Sequence, residues 1–176
     1  FDTNIMRKRR MWVPRGSQPP PREVTQFAPS VTVFIAIGKN FKHMFLFKRC
    51  RMNKEWFQTK VLRPLIPIIR RRPAVLLQYD NAPCHRGHDA YLAKSGVQRL
   101  PWQWPASSPD CNPVKQINSI LDNRVKARAP FGDEELCSFL REEFEKIEMS
   151  TVNGLVASVP ERWKKVKVAK GETIKP

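Results

Sequence analysis

Hydrophobic positions along this 176-residue chain fall into short runs with two different spacings. Val31 to Gly38 (VTVFIAIG) is rich in β-branched residues and long enough to cross a sheet, which predicts a strand. Met44 to Lys48 is its expected hairpin partner, across a turn at Gly38-Lys39-Asn40. Asn53 can cap a helix through Trp56, Phe57, Val61 and Leu62, which Pro64 and Pro67 are expected to kink or end. The apolar run from Val75 to Tyr79 predicts a buried strand. A short helix from His88 to Lys94 should stop at Ser95-Gly96, before another strand at Val97 to Leu100. Helical spacing returns at Val114, Ile117, Leu121 and Val125. A last helical region opens at Gly132 and sets Leu136, Phe139, Leu140, Phe144 and Ile147 on one face. Nearer the start, residues 7–13 suit a short strand ending in Pro14-Arg15-Gly16, and Ser17 to Pro29, with Pro19, Pro20, Pro21 and Pro29, an extended loop. No repeat interrupts this order, so one domain over 1–176 is expected.

Composition narrows the class. Hydrophobic residues make up 41% and charged residues 27%, as in an ordinary globule rather than a disordered tail. No run of 18 apolar residues exists, so no membrane span is expected. The chain opens at Phe1 rather than Met, and is read as a fragment of a longer protein. Lys and Arg number 32 against 16 acidic residues, a formal charge of +16 that favours a polyanionic partner, nucleic acid first. Basic clusters at Arg7, Lys8, Arg9 and Arg10, at Arg70, Arg71 and Arg72, and at Lys164, Lys165 and Lys167 are the candidate DNA contacts. Each cluster taken singly also fits a solvated face or an import signal. The four cysteines are widely spaced with no C-x-x-C pair, which reads as reduced thiols. Cys84, His85 and His88 lack a fourth ligand at zinc spacing.

The chemistry concentrates between Gln78 and Asn112. The run ending at Tyr79 delivers Asp80 to a strand's carboxyl end, the usual address of an active-site group in an open α/β sheet. On its own such an aspartate can simply cap the next turn. Its setting, QYDNAPCH, resembles the D-N-x-P-x-H motif of the Tc/mariner transposases through Asn81, Pro83 and His85. SSPDCNP, ending in Asn112-Pro113, is similar to that family's S-P-D-x-N-P, whose third carboxylate follows after one residue. Trp12-Val13-Pro14-Arg15-Gly16 and Phe1 look like the segment after the family's first catalytic Asp, in D-E-x-x-F. Leu155 to Arg162 with Ala169-Lys170-Gly171 is similar to its closing L-V-x-S-M-P-x-R…A-K-G.

The resemblance implies a ribonuclease-H-like fold, α/β, with a mixed sheet flanked by helices and a first strand that is incomplete here. It implies cut-and-paste DNA transposition with Mg2+ or Mn2+, and Asp80 as the second acidic, metal-binding position. DNA is the implied partner and a homodimer is compatible, with no membrane and no small-molecule substrate. The location would be nuclear in a eukaryote and intracellular otherwise. Two departures argue for an inactive site, or for a repurposed DNA-binding protein that does not cut. The first catalytic Asp would lie upstream of Phe1, and Asp2 falls too close to Trp12 to replace it. The third acidic position is Lys115, with the 34 residues 81–114 intervening as in the family. Two-metal phosphodiester chemistry gathers carboxylates around ions about 4 Å apart. Replacing −1 by +1 beside such an ion turns roughly 4 kcal/mol of attraction into repulsion at an effective dielectric near 20. Lys115 is therefore expected beside Asp80 as a surrogate cation, at a distance near 2.8 Å.

Overall fold

The computed structural model describes Gly16 and residues 30–48, 50–72, 75–101, 104 and 108–169. The expected strand at 7–13, the Pro-rich segment 17–29 and the Arg7–Arg10 cluster lie outside them.

Strand β1 (Val31–Gly38) pairs antiparallel with β2 (Phe41–Lys48), from Val31 opposite Lys48 to Gly38 opposite Phe41. The connection is the two-residue turn Lys39-Asn40, with Asn40 at φ 53°, a left-handed conformation that asparagine tolerates. The partner strand thus begins at Phe41, three residues before the apolar run that predicted it. Alternation along the strands sends Val31, Val33, Ile35, Ile37, Met44 and Leu46 to one face and Phe34, Ala36, Phe45 and Phe47 to the other. Both faces are apolar because both are covered.

The first face packs against α4 (Val114–Ala127), α5 (Gly132–Glu145) and α6 (Met149–Ala157). Ile117, Leu121, Val125, Leu136, Leu140, Phe144, Ile147 and Val152 are buried there, so the helical periodicity read from the sequence is the observed one. The second face meets α1 (Lys54–Phe57) and α2 (Arg63–Arg70) through Phe57, Val61, Leu62, Leu65, Ile66 and Ile69. Asn53 caps α1, its side chain accepting from the Trp56 amide at 2.7 Å.

Pro64 and Pro67 do not end this helix. A π-helical turn (Gln58–Leu62) joins α1 to α2, and the Arg63 amide reaches back to the Gln58 carbonyl. The wider turn admits a proline ring that would clash with the carbonyl four residues earlier in a regular α-helix.

Two shorter strands, β3 (Leu76–Leu77) and β4 (Gln98–Arg99), run parallel in a second ladder, separated by α3 (Asp89–Lys94). The predicted strands Val75–Tyr79 and Val97–Leu100 are therefore present but reduced to two paired residues each. Tyr79 is buried as expected, whereas Leu76 is 47% exposed. The terminal helical region is also longer than one amphipathic stretch: α6 is followed by α7 (Val159–Val168), with Pro160 in its first turn. No described helix is long and apolar enough to cross a membrane.

Candidate active site

Asp80 stands just past β3, at the carboxyl end of the parallel ladder. Pro83 opens a 3-10 turn (Pro83–His85), and the turn folds His85 back onto the aspartate. The Asp80 Oδ1 accepts from His85 Nδ1 at 2.8 Å and from the Ala82 amide at 3.2 Å. The imidazole is enclosed by aromatic rings, with centroids 4.4 Å from Phe57, 5.2 Å from Tyr79 and 6.4 Å from Phe34. Burial lowers the His85 pKa, although the Asp80 charge and hydrogen bonds pull the other way. A neutral ring with its proton on Nδ1 follows. The Asp80 side chain remains 38% exposed. The D-N-x-P-x-H spacing thus has a physical content: it returns a histidine to its own aspartate.

His88 is fully buried, its Nε2 2.8 Å from the Cys84 carbonyl and its Nδ1 3.3 Å from Gln58 Oε1. It ties the loop to the π-helical turn. Cys84 Sγ lies 3.4 Å from Met52 Sδ, so this trio is committed to packing. All four cysteines are free.

Lys115 occupies the first turn of α4 and is exposed. A 3-10 turn (Pro109–Cys111) leads into this helix. Asn112 organises its start, the side chain accepting from the Val114 amide at 3.0 Å and the carbonyl from the Lys115 amide at 3.0 Å. The expected Asp80–Lys115 pair is not formed: no salt bridge within 4.0 Å joins them, and His85 holds the Asp80 carboxylate instead. Asp122 is no substitute ligand, since it pairs with Lys126 on its own helix. Among the described residues no group of three or more His, Cys, Asp or Glu side chains could hold a metal ion. The donors around Asp80 do not fit a two-metal centre.

The basic clusters divide. Arg70 and Arg71 are exposed at the end of α2. Arg72 is half-buried, donating to the Lys39 carbonyl at 3.4 Å with its guanidinium 4.8 Å over the Phe41 ring, so it tethers α2 to the hairpin turn. Lys164 and Lys165 are exposed on α7, Lys164 pairing with Glu161 at 2.7 Å.

Arg162 and Trp163, which the sequence marks only as part of or beside a closing motif, reach segments next to both positions of the site. Arg162 is buried and donates to the Asp110 carbonyl at 3.1 Å, to Gln116 Oε1 and to Ser158 Oγ at 2.7 Å. Trp163 packs edge-on to Trp104 at 5.3 Å. Trp104 donates to the Ser108 carbonyl, and its own carbonyl accepts from Asn81 Nδ2. The sequence signal for Arg162 was its place in that closing motif, and Trp163 had none.

A strand-end carboxylate beside a parallel ladder, with an antiparallel hairpin and helices on both faces, defines a ribonuclease-H-like domain. The chain belongs to the DDE superfamily endonuclease family, whose pattern matches residues 2–137, and within it to the Tc1/mariner group of transposase catalytic domains. It is 34% identical over 98 residues to the transposable element Tcb1 transposase of Caenorhabditis briggsae, covering 54% of this chain and 35% of that protein. The Tcb2 transposase of the same organism is 27% identical over 100 residues, 56% of this chain and 36% of that one. The chain thus spans about a third of the length of these relatives. The crystal structure of the Mos1 mariner transposase catalytic domain superposes with a TM-score of 0.70 at 21% identity, over 84% of this chain and 77% of that one. A pre-cleavage Mos1 transpososome gives 0.72 at 20%, over 94% and 52%. The ribonuclease-H-like expectation is met.

Proposed function

We propose that this chain is the catalytic-type domain of a cut-and-paste DNA transposase that retains DNA contact and, as it stands, does not cleave. The observation that carries the reading is the identity of the residues at positions 80 and 115. Asp80 sits at the strand end, and the family's third acidic position, at the start of α4, holds an exposed lysine. A carboxylate already engaged by His85, with no metal-binding group of three or more acids, histidines or cysteines among the described residues, supplies too few oxygens for two hard cations. The Mos1 catalytic domain has been solved with Mg and with Mn, and a Mos1 paired-end complex with a left transposon end. These relatives support DNA as the partner and an assembly of more than one subunit as the working form; a homodimer, and in a eukaryote a nuclear place of action, belong to the same proposal.

Lys115 also favours the second reading, a repurposed DNA-binding protein. An exposed ammonium at the family's third acidic position adds to phosphate affinity where a carboxylate would oppose it. Under both readings binding is sequence-tolerant and falls steeply with salt. Anisotropy titrations of a fluorescent duplex at several salt concentrations test this. Replacing Lys164 and Lys165 by Gln should reduce the log–log salt slope by about 2, roughly one for each phosphate no longer neutralised. Affinity that ignores salt, or absent binding at low salt by folded protein, would overturn the DNA reading.

A further inference from the structure

We infer that Arg162 and Trp163 of α7 are positioning residues that fix where position 115 lies relative to Asp80. The inference rests on reading these two positions as one site.

Arg162 is only 6% exposed, and the three acceptors it reaches are uncharged: a hydroxyl, a carbonyl and a carboxamide. Burying a guanidinium is costly, and a well-packed apolar side chain is often as stable in such a place. A planar fork does something an apolar residue cannot, namely hold several segments at fixed angles to one another. Here the segments are chosen tellingly. Ser158 is one residue before α7, Asp110 lies in the 3-10 turn that launches α4, and Gln116 is the neighbour of Lys115. The last two hydrogen bonds span 52 and 46 residues, so nothing local would set this geometry.

Trp163 extends the same clasp to the other half of the site. Its ring meets Trp104, whose carbonyl accepts from Asn81, the residue after Asp80. A continuous path therefore runs from Asp80 through Asn81, Trp104, Trp163, Arg162 and Gln116 to Lys115. It bypasses the hydrophobic core beneath the hairpin and passes through one helix near the end of the described chain.

Amide hydrogen exchange followed by NMR tests this without DNA or metal, so its failure would be separate from failure of the transposase reading. Arg162→Met keeps the aliphatic bulk and removes every donor. The amides of Asn112, Lys115 and Gln116, which bond to Pro109, Asn112 and Pro113, should exchange about tenfold faster. Amides of Leu121 and Leu140, in the core of α4 and α5, should keep their protection. Trp163→Leu should instead shift the Ala82 amide, which bonds to the Asp80 carboxylate. Arg162→Lys keeps the charge without the fork and should loosen 112–116 like the methionine variant. It decides the matter if that variant does not fold. Uniform acceleration through α4 to α6 would reveal a merely stabilising residue and overturn the inference, as would unchanged exchange at 112–116.

Discussion

His85 stays neutral near pH 7 because burial among Phe34, Phe57 and Tyr79 depresses its pKa against the pull of Asp80. In the unfolded chain the same imidazole titrates near 6.5. As pH falls through that value the unfolded state takes up the proton first, so stability is lost on acidification. His43, whose pKa is also lowered by burial with Glu145 opposing, acts in the same direction. Denaturant midpoints measured between about pH 8 and pH 5 should therefore fall, and fall less steeply in His85→Asn. Equal slopes would show that His85 is not the buried neutral group described. The motif around Asp80 was legible in the sequence but the bond inside it was not, although the turn and its histidine lie within five residues. The expected pair with Lys115 is not formed: the Asp80 carboxylate accepts from His85 and from the Ala82 amide of its own turn, while Lys115 is exposed in the first turn of α4.

At the scale of elements, the sequence revealed those whose burial follows a simple period. The hairpin, α4 and α5 show theirs plainly. The π-helical turn was hidden because prolines signal a break and not how the backbone can absorb them. The parallel strands were read too long, since an apolar run does not say how many of its residues find a ladder partner. One cap was likewise invisible. Lys42 of β2 donates to the carbonyls of Phe144, Glu145 and Ile147 at 2.7, 2.9 and 2.9 Å, closing the C-terminal end of α5. An ammonium there meets both the unsatisfied carbonyls and the negative end of the helix dipole. Lys42→Met should cost about 2 kcal/mol in chemical denaturation. A destabilisation below about 0.5 kcal/mol would mean that water replaces the cap without penalty.

For the molecule as a whole, the proposed lack of cleavage is a property of the ligand set and not of one residue. Lys115→Glu alone should leave DNA uncut, because Asp80 and a new carboxylate would still lack the partner expected at the family's first acidic position. Joining an upstream D-E-x-x-F segment to the Lys115→Glu chain is the smallest change expected to yield metal-dependent nicking. Three proteins assayed with magnesium or manganese decide this: the chain as given, the point variant and the extended variant. Cleavage by the unmodified chain that Asp80→Ala abolishes would show that an intact ligand set exists.

Among the described residues the hairpin is the wall that both hydrophobic cores share. Beneath one face lie α1, α2 and residues up to Val97; beneath the other lie α4, α5 and α6. The chain is thus divided in sequence where it is divided in space, with the boundary between Pro101 and Ser108. Such a layout makes covalent continuity there dispensable in principle. A break just after Pro101 would leave one piece with the hairpin and its aromatic side complete, and a second piece whose apolar helices have a ready-made surface to cover. Mixed in solution, the two halves should reassociate into a complemented dimer of fragments. A coding sequence interrupted at that point could then still yield a folded, DNA-contacting product from two separate polypeptides.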